Sequence, residues 1–127
     1  MIFGIGTDLV RLSRIEKAYA RFGERFVERL LLPEELALFR TTRRPARFLA
    51  MRFAAREATV KAMGTGFAHG MWIRDVGFLP DPRGKPELIW SARGAALCER
   101  MGIGEGFVSL TDEGDMVAAF AVLLRRG

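Results

Sequence analysis

The chain has 127 residues, half of them apolar and 28% charged, with a formal net charge of +5, which fits one folded domain and excludes a disordered chain. A single cysteine, Cys98, excludes an internal disulfide framework and fits a reducing compartment. No stretch approaches the ~20 apolar residues of a membrane span, and the start MIFGIGTD has neither the basic flank nor the apolar run of a signal peptide, so the chain reads as soluble and cytoplasmic.

In chain order, IFGIGTDLV predicts a short strand with Gly6-Thr7-Asp8 at its end, and Gly4 and Gly6 mark a bend or a close backbone approach. From Leu12 the period changes. Leu12, Ile15, Tyr19, Phe22, Phe26 and Leu30 form one helical stripe, with Ser13 or Asp8 as its cap and Gly23 as a break or kink. Pro33 followed by Glu34 and Glu35 opens another helix. TTRRP connects it to the longest helical stretch, residues 46–63, which ends before Gly64. MWIRDVGFL, the turn cluster PDPRGKP and ELIW predict a hairpin over residues 71–91. Ser91 caps and Gly102 ends a further helix, and GFVSLTDEGDMVAAFAVLL predicts a second hairpin turning at Glu113–Asp115. Strand, helices, hairpin, helix, hairpin is the order of an α+β domain, with a small antiparallel sheet packed on a long central helix.

Charge is unevenly spread. Residues 1–66 hold 13 Lys/Arg and 7 Asp/Glu, whereas residues 67–127 hold 7 and 8. Between Glu35 and Glu57 lie Arg40, Arg43, Arg44, Arg47, Arg52 and Arg56 with no acid among them. A surface built only for solubility intersperses the signs, so the basic half points to phosphates, nucleic acid or an acidic protein.

Within 46–63, Arg52 and Arg56 share one helix face, and Glu57 and Lys61 share the adjacent one. Alone, Glu57–Lys61 reads as an ordinary surface pair. The Gly64-Thr65-Gly66 ending changes that. It lets backbone approach a ligand, and it offers bare N–H groups and one hydroxyl, so a phosphate there could be held by amides and the Lys61 ammonium. The loop is not a Walker A motif, because its lysine precedes the glycines. Asp8 and Glu57 are a candidate Mg²⁺ pair, since that ion takes one or two carboxylates, keeps waters and binds substrate phosphates; Asp8 reads equally as a helix cap. His69, the only histidine, reads as a loop residue, and Cys98 as a packed small side chain rather than a nucleophile.

GIGTDLV, RFAAREATVKAMGTG, GKP and VSLTDE, in this order and spacing, resemble the holo-acyl-carrier-protein synthases, the small bacterial 4′-phosphopantetheinyl transferases. The resemblance covers nearly the whole chain. It implies transfer of the phosphopantetheine arm of coenzyme A to a serine of apo-acyl carrier protein, in fatty acid biosynthesis, with release of adenosine 3′,5′-bisphosphate. It also implies Asp8 and Glu57 as Mg²⁺ ligands and Lys61 beside the pyrophosphate. Gly64, Thr65 and Gly66 become the turn against coenzyme A. Arg44 and Arg52 fall near the nucleotide phosphates, and Gly84, Lys85 and Pro86 form a hairpin loop beside the adenosine. Arg14, Arg21, Arg25 and Phe26 become the face that docks the acidic carrier protein. A homotrimer with sites at subunit interfaces is implied, with no nucleic-acid or membrane partner.

Chemistry agrees with that assignment. Coenzyme A carries a pyrophosphate and a 3′-phosphate, which suits an arginine-rich segment without acids. Mg²⁺ and Lys61 would stabilise charge on the departing nucleotide, and Glu57 is the candidate base for the serine proton, directly or through a water. Three departures stand out: Phe107 where many members have histidine, Asp112 where some do, and Arg56 where lysine is common. The first two leave no histidine in this strand for a mechanism to use, and the third preserves charge. A nucleotide- or nucleic-acid-binding module without catalysis is the main competitor. Its weakness is that only Phe48 and Phe53 interleave with the arginines, and both fit a helix core. A relative acting on carrier domains of larger synthases fits less well, because those enzymes typically resemble two fused copies. A fatty-acid synthase domain also fits less well, because the motif order is complete at both its start and its end.

Overall fold

The computed structural model describes residues 1–127. In order it runs β1 (Ile2–Arg11), α1 (Leu12–Phe22), α2 (Glu24–Leu30), α3 (Pro33–Phe39), α4 (Pro45–Met63), β2 (Val76–Pro80), β3 (Pro86–Trp90), α5 (Ala92–Met101), β4 (Ile103–Glu113) and β5 (Met116–Arg125). A single 3₁₀ turn, Ile73–Asp75, precedes β2. β1, β5 and β4 form one antiparallel sheet in that order, and β2–β3 is a separate two-stranded hairpin. The one small sheet expected from sequence is therefore two. No helix is long and apolar enough to cross a membrane.

α4 is the centre of the molecule. Pro45 opens it, where a missing N–H costs nothing, and Gly64 closes it at φ 80°. Its buried side chains include Leu49, Ala50, Ala54, Ala55, Ala58, Val60, Ala62 and Met63. Five alanines in that set let neighbours approach the helix backbone from several directions. β1 uses this most: a Cβ on Gly4 would lie 2.0 Å from the carbonyl oxygen of Ala62, and one on Gly6 would lie 2.0 Å from that of Ala58. Both glycines thus mark the close approach their sequence positions suggested, and they bring β1 onto the α4 backbone beside Asp8.

Three local expectations change. β1 continues through Arg11, so Asp8 sits in mid-strand opposite Ala119 and caps no helix. Ser13 does not cap α1 either: its N–H and hydroxyl both donate to the Asp115 carboxylate, at 2.9 and 2.8 Å, tying the first helix to the β4–β5 turn. The first hairpin begins at Val76 rather than residue 71, because Asp75 accepts the Trp72 N–H at 2.9 Å and the Ser91 hydroxyl at 2.7 Å to close a turn. Ser91 is the α5 cap, accepting from the Gly94 N–H at 3.0 Å, and Gly102 ends that helix at φ 78°.

Register divides the larger sheet into two faces. Gly6, Asp8, Val10, Val108, Leu110, Val117, Ala119, Ala121 and Leu123 face α4. Ile5, Thr7, Leu9, Phe107, Ser109 and Phe120 face away and are exposed, with Lys85 reaching the Phe107 ring at the β4 edge.

Candidate active site

Where β1 closes on α4, three of the sequence-selected residues meet. The Lys61 ammonium donates to the Thr7 carbonyl at 3.0 Å and to the Asp8 carboxylate at 3.2 Å. It spans to β1 rather than pairing with Glu57 or lying along its own helix. Glu57, half-buried, is close enough to Asp8 to feel its charge. Burial first, and then Asp8, push its carboxyl above the ordinary range, while Lys61 and Arg14 pull the other way. Arg14 stands 5.5 Å over the Phe53 ring. Two carboxylates that repel each other are a place a cation would relieve. No group of three or more His, Cys, Asp or Glu exists to enclose a soft metal. Two carboxylates are oxygen donors of the kind that suit Mg²⁺, which completes its shell from water and phosphate oxygens.

The turn after α4 departs from expectation. Gly64 N–H donates to the Lys61 carbonyl at 3.0 Å, and Thr65 and Gly66 N–H both donate to the Val60 carbonyl at 3.2 Å. This is a Schellman-type ending, with the amides satisfying the last helix carbonyls. The Thr65 hydroxyl bonds Gly66 O at 2.7 Å. The amides of Gly64, Thr65 and Gly66 are therefore not bare, and a helix C-terminus does not itself attract anions. What the turn offers is a low profile beside Lys61, which carries the positive charge.

A second site lies near β4. A cleft of about 330 Å³ is lined by residues that include Arg47, Arg52, Phe78, Gly84, Pro86 and Ser109. Gly84 turns the β2–β3 loop at φ 90°, and Asp81 Oδ1 accepts from Arg83 and Lys85 N–H at 2.8 and 2.9 Å to hold it. The Lys85 ammonium stands 5.8 Å from the Phe107 ring, beside an adjoining cleft of about 290 Å³ that includes Trp90 and Glu105. Arg47 grips Asp112 with two 3.0 Å hydrogen bonds, and that grip holds the Asp112 carboxyl below its ordinary range. Arg44, exposed before α4, adds to the field at Asp112. Asp112 is thus an anchor for a rim arginine.

Arg52 forms the floor of this cleft, 93% buried and sandwiched between Phe48 and Phe78, whose ring centroids lie 3.8 and 3.9 Å from its guanidinium carbon. Arg56, on the same face, is wholly buried and binds Glu35, also wholly buried. The sequence read both arginines as ligand-facing charge; only Arg52 reaches a cleft. Glu35, Phe48 and Phe78 were missed as parts of this site, and so was the pairing of Arg47 with Asp112. A signal for Glu35 existed at Gly77, where a Cβ would lie 2.4 Å from the Glu35 carboxylate.

The remaining selected residues form a face on α1 and α2. Arg25 and Phe26 line an open groove of about 280 Å³ with Ala18, Phe22 and Arg29, and the Arg21 guanidinium lies 5.1 Å from the Phe22 ring. Arg14 belongs instead with Glu57. Cys98 is buried, and burial pushes its thiol up to about 11, as a packed side chain requires. His69 sits in an exposed loop at φ 54°.

A carboxylate pair with an ammonium, and a cleft floored by a buried arginine, are groups whose chemistry suits a phosphate ester. Residues 4–121 match the model of the 4′-phosphopantetheinyl transferase superfamily, and the chain belongs to that family. It is 46% identical over 124 residues to the holo-[acyl-carrier-protein] synthase of Halorhodospira halophila, covering 98% of each chain. Its structure resembles the crystal structure of the Neisseria meningitidis holo-[acyl-carrier-protein] synthase, with a TM-score of 0.94 at 42% identity, over 98% of this chain and 100% of that one. It also resembles the Bacillus anthracis enzyme in complex with CoA (3′,5′-ADP), with a TM-score of 0.81 at 33% identity over 100% and 99% of the two chains.

Proposed function

We propose that this chain transfers the 4′-phosphopantetheine group of coenzyme A to a serine of apo-acyl carrier protein, releasing adenosine 3′,5′-bisphosphate, in the cytoplasm and in the service of fatty acid biosynthesis. The observation that carries the proposal is the meeting of Asp8, Glu57 and Lys61 between β1 and α4, in a chain of this superfamily.

The serine oxygen attacks the phosphorus that bears the pantetheine arm. The bond from that phosphorus to the bridging oxygen breaks, and the bisphosphate leaves. Glu57 accepts the serine proton, directly or through a water. Lys61, resting on Asp8 and Thr7 in the free chain, is placed to stabilise charge on the leaving phosphate. Asp8 and Glu57 would hold Mg²⁺, which would supply neutralisation of the pyrophosphate charge. Arg44, Arg52, Gly84, Lys85 and Pro86 take the nucleotide end, and Gly64, Thr65 and Gly66 lie against coenzyme A. Arg14, Arg21, Arg25 and Phe26 dock the carrier protein, Arg14 at the edge nearest Glu57.

The working form is a homotrimer with sites shared between copies. Two features support self-association. Arg52 and Lys61 are nine residues apart on α4, so they point to opposite sides at about 180° and stand about 13 Å apart along the axis. One coenzyme A would have to cross the helix to touch both within a single chain. The outward sheet face also carries Ile5, Leu9, Phe107 and Phe120 at 68%, 62%, 42% and 52% exposure, neighbouring apolar side chains of the kind that mark an interaction surface.

The deciding experiment is the intact mass of apo-acyl carrier protein after incubation with this protein, coenzyme A and Mg²⁺, with chelator as control. Gain of one phosphopantetheine, abolished by chelator, is the expected result. No gain from a folded, self-associated protein that still binds coenzyme A moves the binding-module reading to the front. Neutralising Arg14 and Arg21 together should raise the carrier KM about tenfold at low salt and flatten its salt dependence; an unchanged salt slope in steady-state kinetics argues against that docking face.

A further inference from the structure

Two arginines converge on one carboxylate in the interior, and only one of them is matched. Glu35 Oε1 accepts the Leu32 N–H at 2.9 Å and a short bond from Arg56; Oε2 accepts Arg56 at 3.1 Å and the Phe78 N–H at 3.1 Å. That uses all four of its acceptor positions. Arg56 also donates to Ile73 O at 2.9 Å and to Arg52 O at 3.2 Å. Arg52 receives what is left. Its Nε stands 3.6 Å from Glu35 Oε2, too far for a hydrogen bond, and has no partner. Its one hydrogen bond, Nη2 to Phe78 O, is 3.4 Å long. Two phenyl rings cover the faces of the guanidinium, so its donors lie edge-on. Arg47, on the rim of the same cleft, already has its own acid in Asp112. The three interior groups sum to one uncompensated positive charge at the floor of an open cleft.

We propose that Glu35, Phe48 and Phe78 are positioning residues that hold Arg52 flat and deliberately underpaired, so that a phosphate group of the substrate becomes its missing counter-ion, and that the ligand-free protein is less stable for carrying it. Glu35 fixes the guanidinium in place through charge without spending a hydrogen bond on it, because Arg56 has taken the carboxylate. The rings block rotation and exclude water. The ligand chemistry is a phosphate monoester or pyrophosphate oxygen, which an arginine edge matches with two parallel donors. Burial draws the Arg52 pKa down to about 10, against the pull of Glu35, which leaves it charged at neutral pH and short of a partner. This inference rests on the assignment of the cleft to the nucleotide end of coenzyme A.

The consequence is a stability cost placed at a binding residue. Removing the Arg52 guanidinium gives up only the long contact to Phe78 O and the stacking on Phe48 and Phe78, which an apolar side chain replaces with packing, since Glu35 keeps its four other donors. An apolar chain between two rings is therefore expected to be neutral to stabilising in the free protein. The test is thermal melting with and without adenosine 3′,5′-bisphosphate, together with coenzyme A kinetics. Arg52→Met should raise the ligand-free Tm by roughly 2–5 °C and abolish most of the ligand-induced shift. Phe48→Leu, which keeps the charge but opens one face, should raise the KM for coenzyme A several-fold with kcat at saturation retained. A merely structural role for Phe48 would lower Tm without splitting KM from kcat. A ligand-free Tm that falls in Arg52→Met, or a ligand shift that survives it, overturns the proposal while leaving the transferase reading intact. Absence of phosphopantetheine transfer by the unmodified protein overturns the transferase reading itself.

Discussion

The two sides of α4 handle charge in opposite ways. On the β1 side, two carboxylates lie near one another with the exposed Lys61 ammonium and Arg14 alongside, and the four charges sum to zero. On the β4 side, two buried arginines share one acid, and the imbalance is positive. The first site is wet and adjustable: Lys61 is half exposed on its side chain and rests on groups it can leave. The second is dry and fixed by rings and backbone. A reacting group needs freedom to move protons and follow charge as it develops, whereas a recognition group gains from being held still before the ligand arrives. Under the proposed function, the β1 side carries the chemistry and the β4 side the grip.

The largest expected effect separates these roles. Glu57→Ala should lower kcat by about 10²–10⁴-fold while the affinity for adenosine 3′,5′-bisphosphate stays within about threefold, read by steady-state rates and calorimetry. Equal loss of both would erase the distinction between the sides. Next in size is Arg56→Met, which leaves Glu35 as a buried charge without its main partner. It should destabilise the fold by about 3–5 kcal/mol in urea unfolding, opposite in sign to Arg52→Met on the same helix face. Gly6→Ala acts on the other side by forcing β1 away from the Ala58 carbonyl, at a cost of about 1–3 kcal/mol, and it should lower turnover as well because Asp8 moves with the strand. The smallest effect is at the cleft rim. Asp112→Asn should change stability by less than about 1 kcal/mol, since both partners of its pair are partly exposed. Because Arg47 lowers the Asp112 pKa in the fold, the difference between the two proteins should be present at neutral pH and vanish as pH falls below the ordinary carboxylate range, in melts across acid pH.

Much of the β1 side was legible in the sequence, because its signals are local or carried by residues with few other uses. Gly4 and Gly6 announced a close approach and make one. The 57–61 spacing put Glu57 and Lys61 on a common face, and Asp8 stood out as the acid in an otherwise apolar strand. What spacing could not give was the partner of Lys61, which comes from a strand 53 residues away. The β4 side was harder. Helical spacing correctly paired Arg52 with Arg56 on one face, but a run of arginines without acids reads as exposed, and what covers that face comes from Glu35, 21 residues before Arg56, and Phe78, 26 residues after Arg52. The turn at Gly64 misled for a different reason. Glycine at a helix end signals either ligand approach or a Schellman ending, and here the amides turn back onto Val60 and Lys61.

The central claim is that the chemical side of one copy works with the gripping side of another. Its most direct test is to mix two defective variants, Glu57→Ala and Arg52→Met, by unfolding and refolding them together in equal amounts. The assay uses coenzyme A at a concentration where each variant alone is silent. Sites shared between copies would regain about a quarter of the unmodified activity, since that fraction of interfaces would join an intact Glu57 to an intact Arg52. Sites contained within one chain would regain none, and activity that stays at the level of the separate variants, with mixed oligomers shown by mass, would contradict the account.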